Sequence, residues 1–402
     1  MSIKLGAEPL RAFRVTKIFR EARKLKYSMC FSQDGQHLLV CDHDNLIVFD
    51  CNSLQQLCVV HLQNYRPELA CFTRRNDQLL HSSTKMNYDI RYLDLTSHQY
   101  LAEFKGHTGA LRGLCFQPGS AHRFMSAGWD DRVFLWDLRC GSYTQRLKHL
   151  QRPLLAIDPS GLVFATCHNA ERLEIFDVRK AGGKPCHQFS YQLNEQAKWT
   201  QLQFAPDGKN LLVNTDHGWC FSVDAFNGHF RQIYTGYANR DQLPLQACYT
   251  SDSQHVLAGS DRGRVHVWRA ASGQLMTVLH SKCSQSVHCL QFNPQRSMFA
   301  SSDVSTRLWL PGKRALPSAD SEELPTIDLT RSDLDMHKIR HCRNWPKPIQ
   351  VPTWPNSPSP AVSRRPRRRM PRMPRITITD DESLEEGEIP CATHTRHQSA
   401  GH

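Results

Sequence analysis

Short apolar runs follow one another from about residue 13 to residue 311, each only a few residues long and broken by Gly, Pro, Asn, Asp or Ser. Runs of this kind, rich in aromatic and β-branched residues, read as strands. An aromatic or aliphatic residue followed by a polar turn appears seven times. The copies are Phe31-Ser32-Gln33-Asp34-Gly35, Phe72-Thr73-Arg74-Arg75-Asn76, Phe116-Gln117-Pro118-Gly119, Ile157-Asp158-Pro159-Ser160-Gly161, Phe204-Ala205-Pro206-Asp207-Gly208, Tyr249-Thr250-Ser251-Asp252 and Phe292-Asn293-Pro294. They stand 41, 44, 41, 47, 45 and 43 residues apart. A second pattern keeps the same phase: a short strand ending in a large residue and often Asp. It reads Val48-Phe49-Asp50, Tyr92-Leu93-Asp94, Leu135-Trp136-Asp137, Ile175-Phe176-Asp177, Ser222-Val223-Asp224, Val267-Trp268-Arg269 and Leu308-Trp309-Leu310.

A period of about 40–45 residues belongs to the four-stranded blade of a β-propeller. Seven copies predict an all-β, seven-bladed ring over residues 10–311. The third unit is the clearest, with strands at Leu111–Phe116, Arg123–Ala127 and Val133–Trp136 and a tight turn at Trp129-Asp130-Asp131. Its Val133 and Leu135 point to the face opposite Phe134 and Trp136. No blade buries both faces alone, so the ring must stack on itself. The seventh unit lacks a fourth strand after Trp309-Leu310-Pro311. Phe13-Arg14-Val15-Thr16-Lys17-Ile18-Phe19 precedes the first unit and alternates, so it is expected to supply that strand and close the ring, removing exposed edges.

Residues 312–402 differ: Pro, Ser and Arg dominate, no apolar period survives, and a disordered tail is expected. Residues 1–310 carry 35 Lys and Arg against 26 Asp and Glu, and the remainder 15 against 12. The basic excess therefore belongs to the propeller as well as the tail and favours acidic partners. The 15 cysteines include no CxxC pair. Several sit in apolar runs such as Leu114-Cys115-Phe116 and Ala165-Thr166-Cys167, where they act as small hydrophobes. Met1 to Leu10 shows no apolar leader, and no run approaches the ~20 residues of a membrane span. The expectation is a reducing compartment, with no metal, no cofactor and no membrane contact.

Gly106-His107, Ser126, Asp130 and Trp136-Asp137 resemble the WD40 signature, in which His, Ser, Asp and Trp form a hydrogen-bonded tetrad inside one blade. His107, Ser126 and Asp130 also mimic a catalytic triad, but in a repeat they are expected to be structural. Other units lack the full set; in the sixth, Arg262 stands at the Asp position. With no paired carboxylates or Gly-rich phosphate loop either, an enzyme is not expected.

Longer stretches carry a narrower resemblance. They are Leu10-Arg11-Ala12-Phe13-Arg14-Val15 with Lys17 and Phe19-Arg20-Glu21, Asp89-Ile90-Arg91-Tyr92-Leu93, Leu135-Trp136-Asp137-Leu138-Arg139, and His149-Leu150-Gln151 with Pro153. Asp224-Ala225-Phe226, Gly236-Tyr237-Ala238-Asn239, Leu290-Gln291-Phe292-Asn293-Pro294 and Trp309-Leu310-Pro311 complete them. Over residues 10–311 the chain resembles the small WD-repeat subunit of COMPASS-type histone H3 lysine methyltransferase complexes, as a diverged copy. The resemblance implies a non-catalytic nuclear adaptor that binds the methyltransferase catalytic subunit. It also implies links to the phosphorylated C-terminal domain of RNA polymerase II, a protein phosphatase 1 complex and RNA 3′-end processing. Lys85, Arg91 and Arg132 lie near inter-strand turns and are candidates for phosphate contact.

Trp136-Asp137-Leu138-Arg139 also resembles the WDxR box of cullin ubiquitin ligase substrate receptors, with Arg139 as the contact and Phe176-Asp177-Val178-Arg179 as a looser copy. That is the alternative function. In the tail, Arg364, Arg365, Arg367, Arg368, Arg369, Arg372 and Arg375 carry no acid among them, and prolines at 366, 371 and 374 forbid a continuous helix. This run is expected to serve nuclear import, with weak nucleic-acid contact through phosphate charge as the other reading.

Overall fold

The computed structural model describes residues 10–20, 24–62, 64–180, 183–191, 197–312 and 349–350. Its strands form seven antiparallel sheets, each built on four strands, in meander order in six of them. The third blade runs Leu111–Phe116, Arg123–Gly128, Val133–Asp137 and Tyr143–Leu147 from its inner to its outer strand. Inner strands of neighbouring blades lie side by side, and the inner strands of the last and first blades, Cys289–Phe292 and Lys26–Phe31, also meet. The result is a closed, seven-bladed propeller.

Side-chain alternation explains the apolar runs. Phe134 and Trp136 join Leu80, Ile90 and Phe104 of the second blade in one core cluster. Val133 and Leu135 join Phe164 and Phe176 of the fourth in another. Both faces of a middle strand are therefore sealed, one against each neighbour.

Phe13–Phe19 pairs antiparallel with Thr306–Pro311, as Phe13↔Pro311 through Phe19↔Thr306, and completes the seventh blade. The pairing skips Thr16, a one-residue bulge beside Trp309. The same bulge stands beside the equivalent third-strand residue in other blades, at Leu57, Leu101, Thr144, Arg231 and Met276. The borrowed strand thus has the geometry of a native outer strand. The bulge also breaks the alternation that the sequence suggests, because one extra residue flips every later side chain to the other face. Phe13 and Val15 consequently face the sixth-blade core, and Phe19 faces the first-blade core.

Charges seal the same seam. Lys26 reaches Asp42 at 3.0 Å, both side chains essentially inaccessible. Arg307 bonds Asp303 at 2.8 Å, and the Lys26 amide donates to the Asp303 carbonyl at 3.1 Å. Buried ions persist only when paired and hydrogen-bonded, and Asp42 also accepts from the amides of Asp44 and Asn45.

Of the tail, Ile349–Gln350 forms a two-residue strand beside Phe189–Ser190 of the fourth blade. The arginines from Arg364 to Arg375 lie outside the described residues. The described cysteines are free thiols. Burial raises those of Cys115 and Cys167 to about 12, so neither is a nucleophile at neutral pH. No helix among the described residues is long and apolar enough to cross a membrane.

Candidate functional site

In a four-stranded meander, the turn between the second and third strands and the connector to the next blade share one end. The remaining two turns share the other. The first end makes the upper face of the ring, the second the lower.

The tetrad lies under the upper face of the third blade. The Trp136 indole N–H donates to Ser126 Oγ at 2.8 Å. Ser126 Oγ stands 2.7 Å from His107 Nε2, and His107 Nδ1 lies 3.0 Å from both Asp130 oxygens. One proton arrangement satisfies every member: Trp136 donates to Ser126, Ser126 to His107, and His107 to the carboxylate. Burial pushes Asp130 up, but the bonds from His107 and from the Thr108 amide outweigh it, and the carboxyl lies below its ordinary range. Ser126 is fully buried and its oxygen already accepts the indole N–H. No substrate carbonyl can reach it, so the triad resemblance carries no chemistry. In the sixth blade the register places Arg262 at the position equivalent to Asp130, and Trp268 donates instead to the Thr235 carbonyl at 3.2 Å.

This hydrogen-bonded chain fixes the turn that follows Gly128. Trp129 stands at its tip, 53% exposed, with its amide bonded to the Ala110 carbonyl at 2.9 Å. Two guanidinium groups lie against its ring, Arg112 at 4.6 Å and Arg152 at 5.8 Å from the centroid. Arg112 is the extra residue of a bulge in the innermost strand, between Leu111 and Gly113, and bulges re-aim side chains. Its guanidinium reaches the carbonyls of Arg152 and, at 3.3 Å, Trp199. Arg152 adopts a left-handed φ of 51°, held by its amide's 2.9 Å bond to Asp131 Oδ1. Sequence reading misses this trio. Only the Trp in a polar turn is a visible signal; the meeting of residues 112, 129 and 152 is not.

Among the residues read from sequence as phosphate contacts, Lys85 is exposed on the upper-face turn of the second blade. Arg132 is partly exposed, 4.0 Å from Asp130. Arg91 is buried: it pairs with Glu103, bonds Asn87 at 3.2 Å and stacks 4.2 Å from the Tyr65 ring. Its donors are committed inside the blade, which corrects its place among the surface contacts.

On the lower face, Arg139 forks onto Asp137 at 2.9 and 2.7 Å, and Arg179 repeats the geometry on Asp177 at 3.0 and 2.7 Å. The Arg139 hydrogen bonds hold Asp137 down at about 2 against partial burial. Between these blades lies a cleft of about 230 Å³ lined by Arg123, Trp136, Gln145 and Arg179. Among the described residues no cluster of His, Cys, Asp or Glu could hold a metal ion.

The profile of the WD domain, G-beta repeat, matches residues 18–49 and 98–137. WD repeat-containing protein 82 of Drosophila melanogaster is 38% identical over 313 residues, covering 77% of this chain and 98% of that protein. COMPASS component SWD2 of Saccharomyces cerevisiae is 31% identical over 300 residues, covering 70% of this chain and 90% of that protein. The chain belongs to this WD-repeat family. Set1 complex component swd2 of Schizosaccharomyces pombe is 28% identical over 244 residues, covering 58% of this chain and 68% of that protein. Family membership agrees with a sealed tetrad: what a WD-repeat ring offers a partner is its faces and rims.

Proposed function

We propose that this chain is a nuclear, non-catalytic adaptor subunit of a COMPASS-type histone H3 lysine methyltransferase complex, binding its catalytic subunit. The match that spans nearly all of WD repeat-containing protein 82 carries the reading. The names of two further relatives, a COMPASS component and a Set1 complex component, give it its direction. A rigid closed ring with a basic surface suits the role. The phosphorylated RNA polymerase II C-terminal domain and a protein phosphatase 1 or RNA 3′-end-processing complex are proposed as further partners, each phosphate bringing close to two negative charges.

Affinity purification of the full chain followed by mass spectrometry tests this. The expected result is co-purification of a histone methyltransferase catalytic subunit; its absence from otherwise intact complexes overturns the assignment. Phosphatase treatment that leaves polymerase recovery unchanged removes the phosphate-dependent link. For the tail, deletion of residues 364–375 should move the protein out of the nucleus, and unchanged nuclear accumulation rejects an import role.

A further inference from the structure

We propose that Trp129, Arg112 and Arg152 on the upper face form a docking site for an acidic peptide segment, in which Arg152 grips an Asp or Glu carboxylate of the partner. Several arginines of the ring place their charge on a carboxylate. Arg75, Arg91, Arg139, Arg179, Arg231 and Arg307 each pair with a carboxylate. Among the described residues, no carboxylate pairs with Arg112 or Arg152. They stand instead beside each other, sharing one indole. Asp131, the acid nearest in sequence to Trp129 after Asp130, takes the amide of Arg152 rather than its guanidinium. Asp130 is committed to His107 and the Thr108 amide.

Two like charges on one ring repel, and the site keeps them together. Burial lowers the pKa of Arg112, and the charge of Arg152 lowers it further. An incoming anion relieves that repulsion. The hydrogen bonding then selects the anion. Arg112 already donates to two backbone carbonyls and offers mainly its field. The Arg152 guanidinium has no hydrogen bond among the described residues and presents one planar fork, which matches one planar carboxylate.

The backbone that carries the fork is also held in place. The Arg152 backbone is fixed by Asp131 and Arg112, and Leu150, two residues earlier, ties its amide to the Asp131 carbonyl at 3.3 Å. The exposed edge of Trp129 adds an aromatic anchor of low conformational entropy, and Trp and Arg are the residue types that dominate binding hot spots. A single pair of cations does not make the extended basic track that a nucleic acid needs. The proposal rests on the propeller being a protein-binding scaffold, not on which complex it joins.

The test uses the full chain and three labelled peptides that share one alternating Leu frame, carrying Glu, Gln or phosphoserine, read by fluorescence anisotropy at low salt. The Glu peptide is expected to bind and the Gln peptide to bind at least tenfold more weakly. Arg152→Glu should weaken Glu-peptide binding at least tenfold, Arg152→Lys should weaken it less, and Arg139→Ala on the lower face should leave it unchanged. Should Arg152→Glu fail to fold, Arg152→Gln reads the same loss. Equal binding of the Glu and Gln peptides, no binding of either, or no effect of the Arg152 variants overturns the site. Phosphoserine binding more than tenfold tighter than Glu overturns the carboxylate assignment, and so does displacement of the Glu peptide by an oligonucleotide that itself responds to Arg152→Glu. Because the assay needs only purified protein, its failure leaves the methyltransferase assignment standing, and the converse holds.

Discussion

Replacing Phe13 by Ala tests whether the borrowed strand holds the ring closed. Phe13 is 1% exposed, with the rings of Phe299 and Phe292 at 5.3 and 6.3 Å. Deleting a buried Phe side chain costs about 3–5 kcal/mol, more where the surroundings cannot collapse. Here they cannot. Phe299 is stacked on Trp309 at 5.0 Å, and the backbone on either side of the hole is fixed by the pairing of Phe13 with Pro311 and Val15 with Trp309. The upper part of that range is expected, a large fraction of the roughly 5–15 kcal/mol that holds a native protein folded. Urea unfolding followed by circular dichroism should show the midpoint falling with an unchanged slope. Phe226→Ala, at a residue 68% exposed, serves as the control and should shift stability by no more than about 0.5 kcal/mol. A loss below about 1 kcal/mol for Phe13→Ala, or an equal loss for Phe226→Ala, refutes the closing role. Deletion of residues 10–20 is expected to prevent stable folding; a soluble truncation with a cooperative melt argues the same way against it.

Ser126→Ala orphans the buried Trp136 N–H and leaves His107 Nε2 without a donor, so a loss of about 2–3 kcal/mol is expected in the same assay; near-neutrality would show that the tetrad contributes little. Asp137 titrates at about 2, chiefly through its Arg139 hydrogen bonds, so its contribution to stability is complete above pH 3.8 and disappears as pH falls toward 2. Arg139→Ala should raise the Asp137 value, as read by carboxyl NMR. In pull-downs the same variant tests the ligase alternative, which predicts loss of a cullin adaptor. His81 and His266 are held at about 4, first by burial, and stay neutral in the fold. Their contribution is present above their ordinary 6.5 and lost as pH falls from there toward 4, so the melting temperature should drop across that window. The double variant His81→Gln, His266→Gln should flatten the drop, and an unchanged slope contradicts it.

The ring was legible because its signal is repeated. Strands at Leu111–Phe116 and Arg123–Gly128 fall where the turn residues Gln117-Pro118-Gly119 and Trp129-Asp130-Asp131 place them. The closing strand was legible because Phe13 to Phe19 alternates and the seventh unit lacks an outer strand. The bulge at Thr16 was not, since a bulge adds one residue without altering composition. Surface assignment proved harder. Arg91 and Arg132 look alike in sequence, yet one stacks on Tyr65 inside the blade and the other reaches solvent. Which of the two happens depends on residues distant in the chain, such as Glu103 and Tyr65. The same holds for Trp129, whose two arginines come from an inner-strand bulge and from the following connector.

Closure by the first strand has a consequence for how the protein is made. Thr306–Pro311, the partner of Phe13–Phe19, is among the last parts of the ring to leave the ribosome. Until then the nascent chain carries an unmatched β-strand and, once the seventh blade begins to form, a vacant edge waiting for it. Contacts between such distant segments are slow to form and leave sticky intermediates. At high concentration, the vacant edge of one molecule can capture the free strand of another, giving domain-swapped pairs. Refolding yield should therefore fall with protein concentration, and a circular permutant that joins Pro311 to Phe13 through a short turn should escape that penalty.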